Sequence, residues 1–306
     1  MEQRRLGASG LTVSLAGLGC NNFGGRLDQA QTTEVVSAAL DVGVTFFDTA
    51  RSYGEGRSEE YLGASLDGRR DQVVLATKFG SGVIEDRGSR AELVRSLETS
   101  LRALRTDYVD LLQLHFPDPK TPIAETLEAL DTVVRAGKAR YVGCSNFTGW
   151  MLADAHWTSA TRHVQPFVSV QNQWSLLQRE IEVEVTTAAK RFGLGVLPFF
   201  PLASGLLTGK ATRDEGPPTG SRLSEARFQS ALTSATFDKL DRLQHFANER
   251  SWSLTRLALS WLASHPVVSS VIAGATSPAQ VRENAASTLA DLSAEEVAEV
   301  ARLVES

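Results

Sequence analysis

Short apolar runs recur along the chain, and each is followed by a longer segment in which apolar residues repeat with a helical period. Runs such as Val73–Ala76 and Tyr108–Leu114 are nearly continuous in apolar residues, which is typical of parallel strands buried on both faces. The pattern predicts strands at Leu15–Leu18, Thr45–Asp48, Gln72–Thr77, Tyr108–Leu114, Ala139–Cys144, Val168–Gln171, Gly195–Phe199 and Val267–Ile272.

The helical segments cover about residues 28–42, 58–67, 89–104, 122–136, 149–157, 179–192, 237–249, 253–264, 278–287 and 293–304. Alternating strands and helices imply a parallel sheet, and eight such units close into a (β/α)8 TIM barrel. The alternative is an open doubly wound sheet, which usually carries a G-x-G-x-x-G turn after its first strand. The glycines of Gly17–Gly24 are spaced differently, so the barrel is favoured. Residues 3–14 are expected to form an N-terminal β-hairpin.

Length and composition narrow the class of protein. The chain has 306 residues, which fits one barrel domain spanning 1–306. Its formal charge of −5 argues against nucleic acid or an anionic membrane as the main partner. No signal peptide is recognised, no apolar run reaches about 18 residues, and two cysteines suit a reducing compartment, so a cytoplasmic location is expected. No metal site is expected, because the histidines and cysteines do not form ligand-like pairs.

Polar side chains stand out where the apolar strands end. The second predicted strand ends in Asp48, the third runs into Lys78, and the fourth runs into His115. Tyr53 follows Asp48 by five positions. Alone, each has an ordinary structural role, as a turn former, a surface lysine, a structural histidine or a packed aromatic. Because the carboxyl ends of barrel strands meet at one rim, the combination predicts an active site there.

These residues resemble the aldo-keto reductase superfamily. The pattern F-F-D-T-A-x-x-Y-G lies at Phe46–Gly54, and T-K lies at Thr77-Lys78. The resemblance continues through Leu111–His115, Val142–Phe147, Ser169–Leu177, Pro201–Lys210 and Gly274–Asn284, in the order of the family. It is closest to the bacterial branch that also resembles the potassium-channel β-subunits. The resemblance implies a TIM barrel that binds a nicotinamide dinucleotide without a Rossmann fold.

The resemblance identifies Asp48, Tyr53, Lys78 and His115 as a catalytic tetrad for NADPH-dependent reduction of aldehyde and ketone carbonyls to alcohols. Tyr53 is then the general acid. A free tyrosine has a pKa near 10, so we expect the Lys78 ammonium to lower that pKa by about two units. Asp48 would keep Lys78 protonated and oriented. His115 would donate a hydrogen bond to the carbonyl, and with Tyr53 it would stabilise the developing alkoxide.

The resemblance also implies a cofactor site on the remaining strand ends. Trp174 would stack on the nicotinamide, although the family often has tyrosine there, and Phe200 replaces a common serine. The expected cofactor-binding residues are Gly19, Cys20, Asn21, Asp48, Ser145, Asn146, Gln171, Trp174, Phe200, Pro201, Leu202, Ala203, Ser204, Leu207, Lys210, Arg222, Gly274, Thr276, Gln280, Glu283 and Asn284.

The choice between NADP(H) and NAD(H) depends on groups for the 2′-phosphate. One large branch of the family has a lysine and an arginine where this chain has Gly274 and Gln280. NADP(H) is still favoured over NAD(H), on the strength of Lys210 and Arg222. Arg282 is a further candidate, with a solvated helix position as its alternative role.

Two other functions are compatible with parts of the pattern. A nicotinamide-nucleotide-binding regulatory or redox-sensing module with little turnover would keep the cofactor residues, but the channel β-subunits have asparagine at the position of His115. A Schiff-base aldolase would use Lys78 as a neutral amine, which Asp48 and Tyr53 disfavour. The partner is therefore expected to be a small carbonyl or alcohol substrate.

Substrate specificity is expected in the loops after the strands. These are Asn22–Leu27, Gly80–Arg87, Phe116–Thr121 and Ala211–Phe228. An apolar wall of Phe23, Phe79, Phe116 and Phe228 would suit an apolar or aromatic carbonyl, whereas Arg26, Arg51 and Arg87 would suit an anion. The sequence leaves open the physiological substrate, the direction of the reaction and the oligomeric state.

Overall fold

A computed structural model describes residues 1–82 and 85–305. Strands β1 (Gln3–Arg5) and β2 (Thr12–Ser14) pair antiparallel as a hairpin, as the sequence predicts. The turn between them includes Gly7, which has a φ of 58° and approaches the Gly193 carbonyl so closely that a Cβ would clash. Because Gly193 lies two residues before a barrel strand that begins at Gly195, this turn holds the hairpin against the amino-terminal end of the barrel.

The barrel consists of eight parallel strands in the described part of the chain. They are β3 (Ala16–Gly19), β4 (Phe46–Asp48), β5 (Val74–Phe79), β6 (Val109–Leu114), β7 (Ala139–Ser145), β8 (Ser169–Gln171), β9 (Gly195–Val196) and β10 (Val271–Gly274). From β3 to β8, each strand pairs with the next along the chain, and β10 pairs with β3. Parallel bridges from Val196 to Val268 and from Phe199 to Ile272 join the two remaining edges. The predicted TIM barrel is confirmed.

Helices surround the strands and reverse the chain between them. Their bounds are α1 (Gln29–Asp41), α2 (Arg57–Ser65), α3 (Arg90–Leu104), α4 (Ile123–Arg135), α5 (Gly149–Arg162), α6 (Val185–Phe192), α7 (Ser234–Glu249), α8 (Leu254–Ala263), α9 (Pro278–Ser287) and α10 (Ala294–Arg302). None of them is long and apolar enough to cross a membrane.

Several boundaries differ from the sequence prediction: α5 continues five residues beyond its expected end, and β9 ends three residues before its expected end. Two further differences concern α6 and the last strand. The helix expected over 179–192 is divided into a 3-10 turn at Glu180–Glu182 and the helix α6. The last strand begins at Val271, four residues later than expected, because the apolar residues before it form a turn at the end of α8. The apolar pattern locates both elements but does not separate a buried turn from the adjoining strand.

Side chains of the barrel strands alternate between two hydrophobic clusters. In β6, Leu112 and Leu114 pack outward against the helices. Leu111 packs inside the barrel, in a cluster that includes Leu6, Leu11 and Val13 of the hairpin region. Because the period of a strand is two, Gln113 and His115 follow Leu111 on the inner side, toward the carboxyl-terminal rim.

Candidate active site

The structure brings the four predicted tetrad residues together at the carboxyl-terminal rim of the barrel. Lys78 Nζ lies 2.6 Å from Asp48 Oδ2, 2.8 Å from the Thr49 carbonyl oxygen and 3.4 Å from the Tyr53 hydroxyl. Lys78 and Asp48 are 1% and 2% exposed, respectively. The His115 ring meets the Tyr53 ring edge to face, with centroids 5.9 Å apart. The ammonium is thus fully engaged by three oxygen atoms.

A tight turn carries Tyr53 to this position. The turn Tyr53–Gly56 follows β4, and Gly54 and Glu55 both have positive φ angles near 60°. A Cβ on Gly54 would lie 2.6 Å from the Phe23 carbonyl oxygen, so only glycine fits between the two loops. The left-handed conformation of Glu55 is strained for a residue with a side chain, so the surrounding structure must impose it. Backbone strain of this kind is concentrated at functional sites.

Burial and neighbouring charges shift the pKa values of Lys78 and Tyr53 in opposite directions. For Lys78, burial lowers the pKa, but Asp48 and Tyr53 raise it, and the net direction is upward from 10.5. The ammonium is therefore charged at neutral pH. For Tyr53, burial raises the pKa and outweighs the lowering effect of Lys78, so the net direction is upward from 10.0. The expected lowering of the Tyr53 pKa is wrong for the ligand-free protein, because the loss of solvent outweighs the neighbouring cation.

His115 is neutral in this environment. Burial, with a contribution from the Lys78 charge, lowers its pKa to about 3. Phe116 stacks on the imidazole, with ring centroids 4.7 Å apart. The Asn146 amide donates a hydrogen bond of 2.9 Å to the His115 carbonyl oxygen, which fixes the backbone there. A neutral imidazole has one N–H, so His115 can donate one hydrogen bond toward the cavity.

The far oxygen of the Asp48 carboxylate has its own partners. Oδ1 accepts hydrogen bonds from Gln171 Nε2 at 2.9 Å and from Gln113 Nε2 at 3.2 Å. Gln171 is a predicted site residue, but Gln113 is not. Its signal in the sequence is its place two residues before His115 on the same strand, because this spacing puts both side chains on the inner face.

The tetrad lies at one end of a cavity of about 710 Å³ that extends over the rim to α9. Three of the tetrad residues line it, while Lys78 lies buried behind them. The other predicted residues that line the cavity are Gly19, Asn21, Ser145, Asn146, Gln171, Phe200, Pro201, Leu202, Ser204, Lys210, Arg222, Gly274, Thr276, Gln280, Glu283 and Asn284. The sequence therefore located most of the wall.

The structure does not place Trp174 in the cavity. The ring is 1% exposed and packs against Trp261 and His265, and its Nε1 donates a 2.9 Å hydrogen bond to Glu182. Counting along the strand explains this, because Trp174 points away from the face that carries Gln171. The expectation that Trp174 faces the nicotinamide is corrected accordingly.

Three further predicted cofactor contacts are buried beside the cavity and do not line it. Cys20 and Leu207 have no exposed surface, and Ala203 is 8% exposed. Burial raises the pKa of the Cys20 thiol well above its ordinary value. The sequence places these residues in the correct segments but does not show which members of each segment face inward.

Several lining residues were not predicted. Phe199 is partly exposed to the cavity and is bridged to Gln173 and Ile272 on the two neighbouring strands. It offers a flat apolar ring at the barrel rim. The signal was its place as the last residue of a predicted strand. Five other lining residues lie outside the predicted site and loops, namely Gly205, Thr208, Thr255, Ile272 and Ala273. The loops predicted to set substrate specificity supply Asn22, Arg26, Phe116, Ala211, Pro218, Thr219, Gly220, Ser221 and Leu223 to the wall.

Two arginines lie along the cavity wall. Arg222 Nη2 donates to Asn22 Oδ1 at 3.0 Å and to Asn21 Oδ1 at 3.5 Å, and its guanidinium lies 5.5 Å from the centre of the Phe200 ring. Arg26 forms an ion pair of 2.6 Å with Glu225. Both arginines line the cavity, so they supply positive charge to it.

The start of α9 forms the opposite end of the cavity. Ser277 caps the helix by accepting a hydrogen bond from the Gln280 backbone, and Pro278 occupies its first turn. Gln280 Oε1 accepts from the Thr276 backbone N–H at 2.8 Å and from the Thr276 hydroxyl at 3.1 Å. The helix dipole favours an anion at this end.

The predicted apolar wall is only partly present. Phe23 and Phe79 are buried in the core, with exposed fractions of 0% and 1%, because both face the helices. Phe116 lines the cavity, whereas Phe228 packs against the core. Of the predicted anion-binding arginines, Arg26 lines the cavity, while Arg51 and Arg87 do not. The loop Gly80–Arg87 includes residues 83–84, which lie outside the described residues.

Comparison with known proteins gives consistent matches over nearly the whole chain. Residues 16–305 match the model of the Aldo/keto reductase family. An uncharacterized oxidoreductase of Bacillus subtilis, YrpG, is 37% identical over 92% of this chain and 90% of its own length. A probable voltage-gated potassium channel subunit beta of Oryza sativa is 38% identical, over 93% and 90%. The aldo-keto reductase YhdN of Bacillus subtilis is 35% identical, over 92% and 87%.

Proposed function

The chain belongs to the aldo/keto reductase family, and from that membership we propose that it reduces aldehyde and ketone carbonyls with NADPH, using Tyr53 as the general acid. The observation that carries the proposal is the contact of one buried ammonium, Lys78 Nζ, with both Asp48 and Tyr53 at the wall of a large cavity. A buried lysine paired in this way is charged at neutral pH, and it adjoins the Tyr53 hydroxyl, which can release a proton to a ligand.

The cavity suits a nicotinamide dinucleotide. Ser145, Asn146 and Gln171 offer hydroxyl and amide groups for the carboxamide, and the Phe199 ring offers an apolar surface for the nicotinamide. Lys210 and Arg222 offer positive charge for phosphates, and the start of α9 suits the adenosine end. When bound, the reduced cofactor supplies the hydride.

Tyr53 supplies the proton in this proposal. Its raised pKa keeps the hydroxyl protonated at neutral pH, so the acid form is the resting form. As the hydroxyl gives up its proton, a negative charge develops 3.4 Å from the Lys78 ammonium. Two opposite charges about 4 Å apart interact by about 4 kcal/mol at an effective dielectric constant of 20. Lys78 therefore acts most strongly in the transition state, which is where stabilisation accelerates a reaction.

His115 orients the carbonyl. Its neutral imidazole donates a hydrogen bond to the carbonyl oxygen without introducing a second positive charge beside Lys78. Tyr53 and His115 together direct two donors at the oxygen, where charge develops during reduction. The stacked Phe116 ring restricts the tilt of the imidazole and excludes water from one side.

NADP(H) is the preferred cofactor in this proposal, since the Arg222 guanidinium lines the cavity and its planar donors suit a phosphate. Gln280 does not supply a charge there, and its side-chain oxygen is already engaged by Thr276. The second candidate function is a regulatory nucleotide-binding module, which is supported by the likeness to a relative named as a probable channel subunit.

A turnover assay separates the two functions. The purified protein is mixed with NADPH and a panel of aldehydes and ketones, and the loss of the absorbance of the reduced cofactor is followed, with NADH as the comparison. The proposal predicts steady turnover with NADPH and less with NADH. Tight NADPH binding without turnover across the panel would favour the regulatory module instead.

A further inference from the structure

We propose that Gln113 is a positioning residue that fixes the Asp48 carboxylate, and through it the Lys78 ammonium, independently of any ligand in the cavity. The inference rests on the proposed function. The two hydrogen bonds to Asp48 Oδ1 come from different places, because Gln171 lines the cavity and Gln113 does not. Gln171 lies at the cavity wall, whereas Gln113 has no exposed surface.

The sheet register places Gln113 beside Asp48 inside the barrel, on the side away from the cavity. Gln113 is the direct neighbour of Lys78 across the β5–β6 pair. Lys78 donates a hydrogen bond to Asp48 Oδ2, and Gln113 donates one to Oδ1, so the two side chains bind different oxygens of the same carboxylate. This fixes both the position and the plane of the carboxylate, and the plane determines where Oδ2 is presented to the ammonium.

The next strand leaves room for this arrangement. Gly143 is the neighbour of Gln113 across β6–β7 and of Ser169 across β7–β8. A Cβ on Gly143 would clash with the Ser169 hydroxyl and would lie 3.4 Å from Gln113 Cγ. The missing side chain thus allows the glutamine to lie across the barrel interior.

The orientation of the Gln113 amide is also defined. Its N–H₂ group must face Asp48, because the reverse orientation would place two oxygens together. Gln113 Oε1 is then buried without a hydrogen-bond partner in the described part of the chain. An unsatisfied buried oxygen is costly, so the position of this glutamine is not explained by the stability of the barrel alone.

The consequence for the reaction follows from the charges that surround Tyr53. Lys78 lowers the pKa of Tyr53, while burial, Asp48 and Cys20 raise it. If Gln113 is lost, Asp48 is held at Oδ1 by Gln171 alone, and its contact with the ammonium becomes less well fixed. Lys78 then stabilises the Tyr53 phenolate less, so proton transfer slows while binding in the cavity is unchanged.

The main test compares Gln113→Met with Ser169→Ala. Methionine matches glutamine in length but cannot donate, and Ser169 is a fully buried neighbour whose hydroxyl has no partner in the described residues. We expect kcat to fall about tenfold in Gln113→Met, since a hydrogen bond to a charged group is lost. The NADPH dissociation constant and the carbonyl KM should stay within about twofold, and Ser169→Ala should resemble the wild type.

A double-mutant cycle identifies the route of the effect. In the Asp48→Asn background, Gln113→Met should lower kcat by less than about twofold, because its target carboxylate is gone. An undiminished tenfold effect in that background overturns the inference. If Gln113→Met does not fold, Gln113→Asn replaces it, since its shorter side chain retains the amide but does not reach Asp48.

A spectroscopic measurement tests the inference without turnover. Ionisation of Tyr53 in the ligand-free protein is followed by ultraviolet absorbance after rapid pH jumps, as the difference between each protein and its Tyr53→Phe form. The midpoint should rise by roughly half to one pH unit in Gln113→Met and not in Ser169→Ala. An unchanged midpoint in Gln113→Met refutes the role of Gln113. If the midpoint shifts in Gln113→Met but the wild type reduces no carbonyl, only the proposed function is refuted.

Discussion

Replacing Lys78 with methionine should reduce the free energy of unfolding, and the structure indicates by how much. The ammonium is the hydrogen-bond partner of Asp48 Oδ2 and of the Thr49 carbonyl, and the two side chains of the ion pair are 0% and 3% exposed. The substitution leaves a buried carboxylate without its cation, which typically costs roughly 3–5 kcal/mol. Urea unfolding followed by circular dichroism measures the difference.

A matched control separates burial from charge. Lys120 pairs with Glu85 at 3.1 Å, but the two side chains are 56% and 84% exposed. Lys120→Met should therefore change the free energy of unfolding by less than about 1 kcal/mol. The Asp48→Asn/Lys78→Met double variant should be more stable than Lys78→Met, because the unpaired charge has been removed.

The pH dependence of this effect has a defined sign. The folded-state pKa of Lys78 is raised above 10.5, so its contribution is fully present below that value and is lost only as the pH rises through the folded pKa. The difference between wild type and Lys78→Met should therefore show no loss on the alkaline side as the pH rises from neutral to about 9. Loss of stability in Lys78→Met no greater than in Lys120→Met would falsify the burial argument.

Three other predictions concern the cofactor and the histidine. Arg222→Ala should weaken NADPH binding at least about tenfold more than NADH binding in fluorescence titrations, and equal losses would exclude Arg222 as the phosphate partner. Phe199→Ala should weaken NADPH binding, whereas Trp174→Phe should reduce stability and leave binding within about twofold; the reverse result would restore Trp174 to the site. Because burial lowers the pKa of His115 to about 3, the unfolded chain takes up a proton below pH 6.5 that the folded protein does not. His115→Gln should therefore lose about 2 kcal/mol less stability than wild type between pH 7 and pH 5, and parallel curves in urea unfolding would contradict this.

The alternating pattern predicted the barrel because each strand is short, apolar and followed by a helical segment. The last strand was placed four residues early because Val267 and Val268 are as apolar as the strand itself, although Val267 lies in the turn after α8 and Val268 forms only an isolated bridge. Hydrophobicity reports burial, and it does not distinguish the two conformations when both lie inside the protein.

The tetrad was predictable because its members follow strand ends, and the topology brings strand ends together. The direction of each side chain was harder to predict. Trp174 follows β8 and Phe199 follows β9, and only the pleat beyond the formal ends of these strands decides that Phe199 reaches the cavity and Trp174 does not. The raised Tyr53 pKa also escaped prediction, since the sequence identifies Lys78 as a neighbour but does not show how far water is excluded.

Turnover by Tyr53→Phe tests the central claim most directly. The change removes one hydroxyl and keeps the ring, so the packing against His115 and the cavity wall should be preserved. With NADPH and an aldehyde that the wild type reduces, kcat should fall by at least about 10²-fold, while the NADPH dissociation constant stays within about threefold. Turnover close to that of the wild type would contradict the role of Tyr53 as the proton donor.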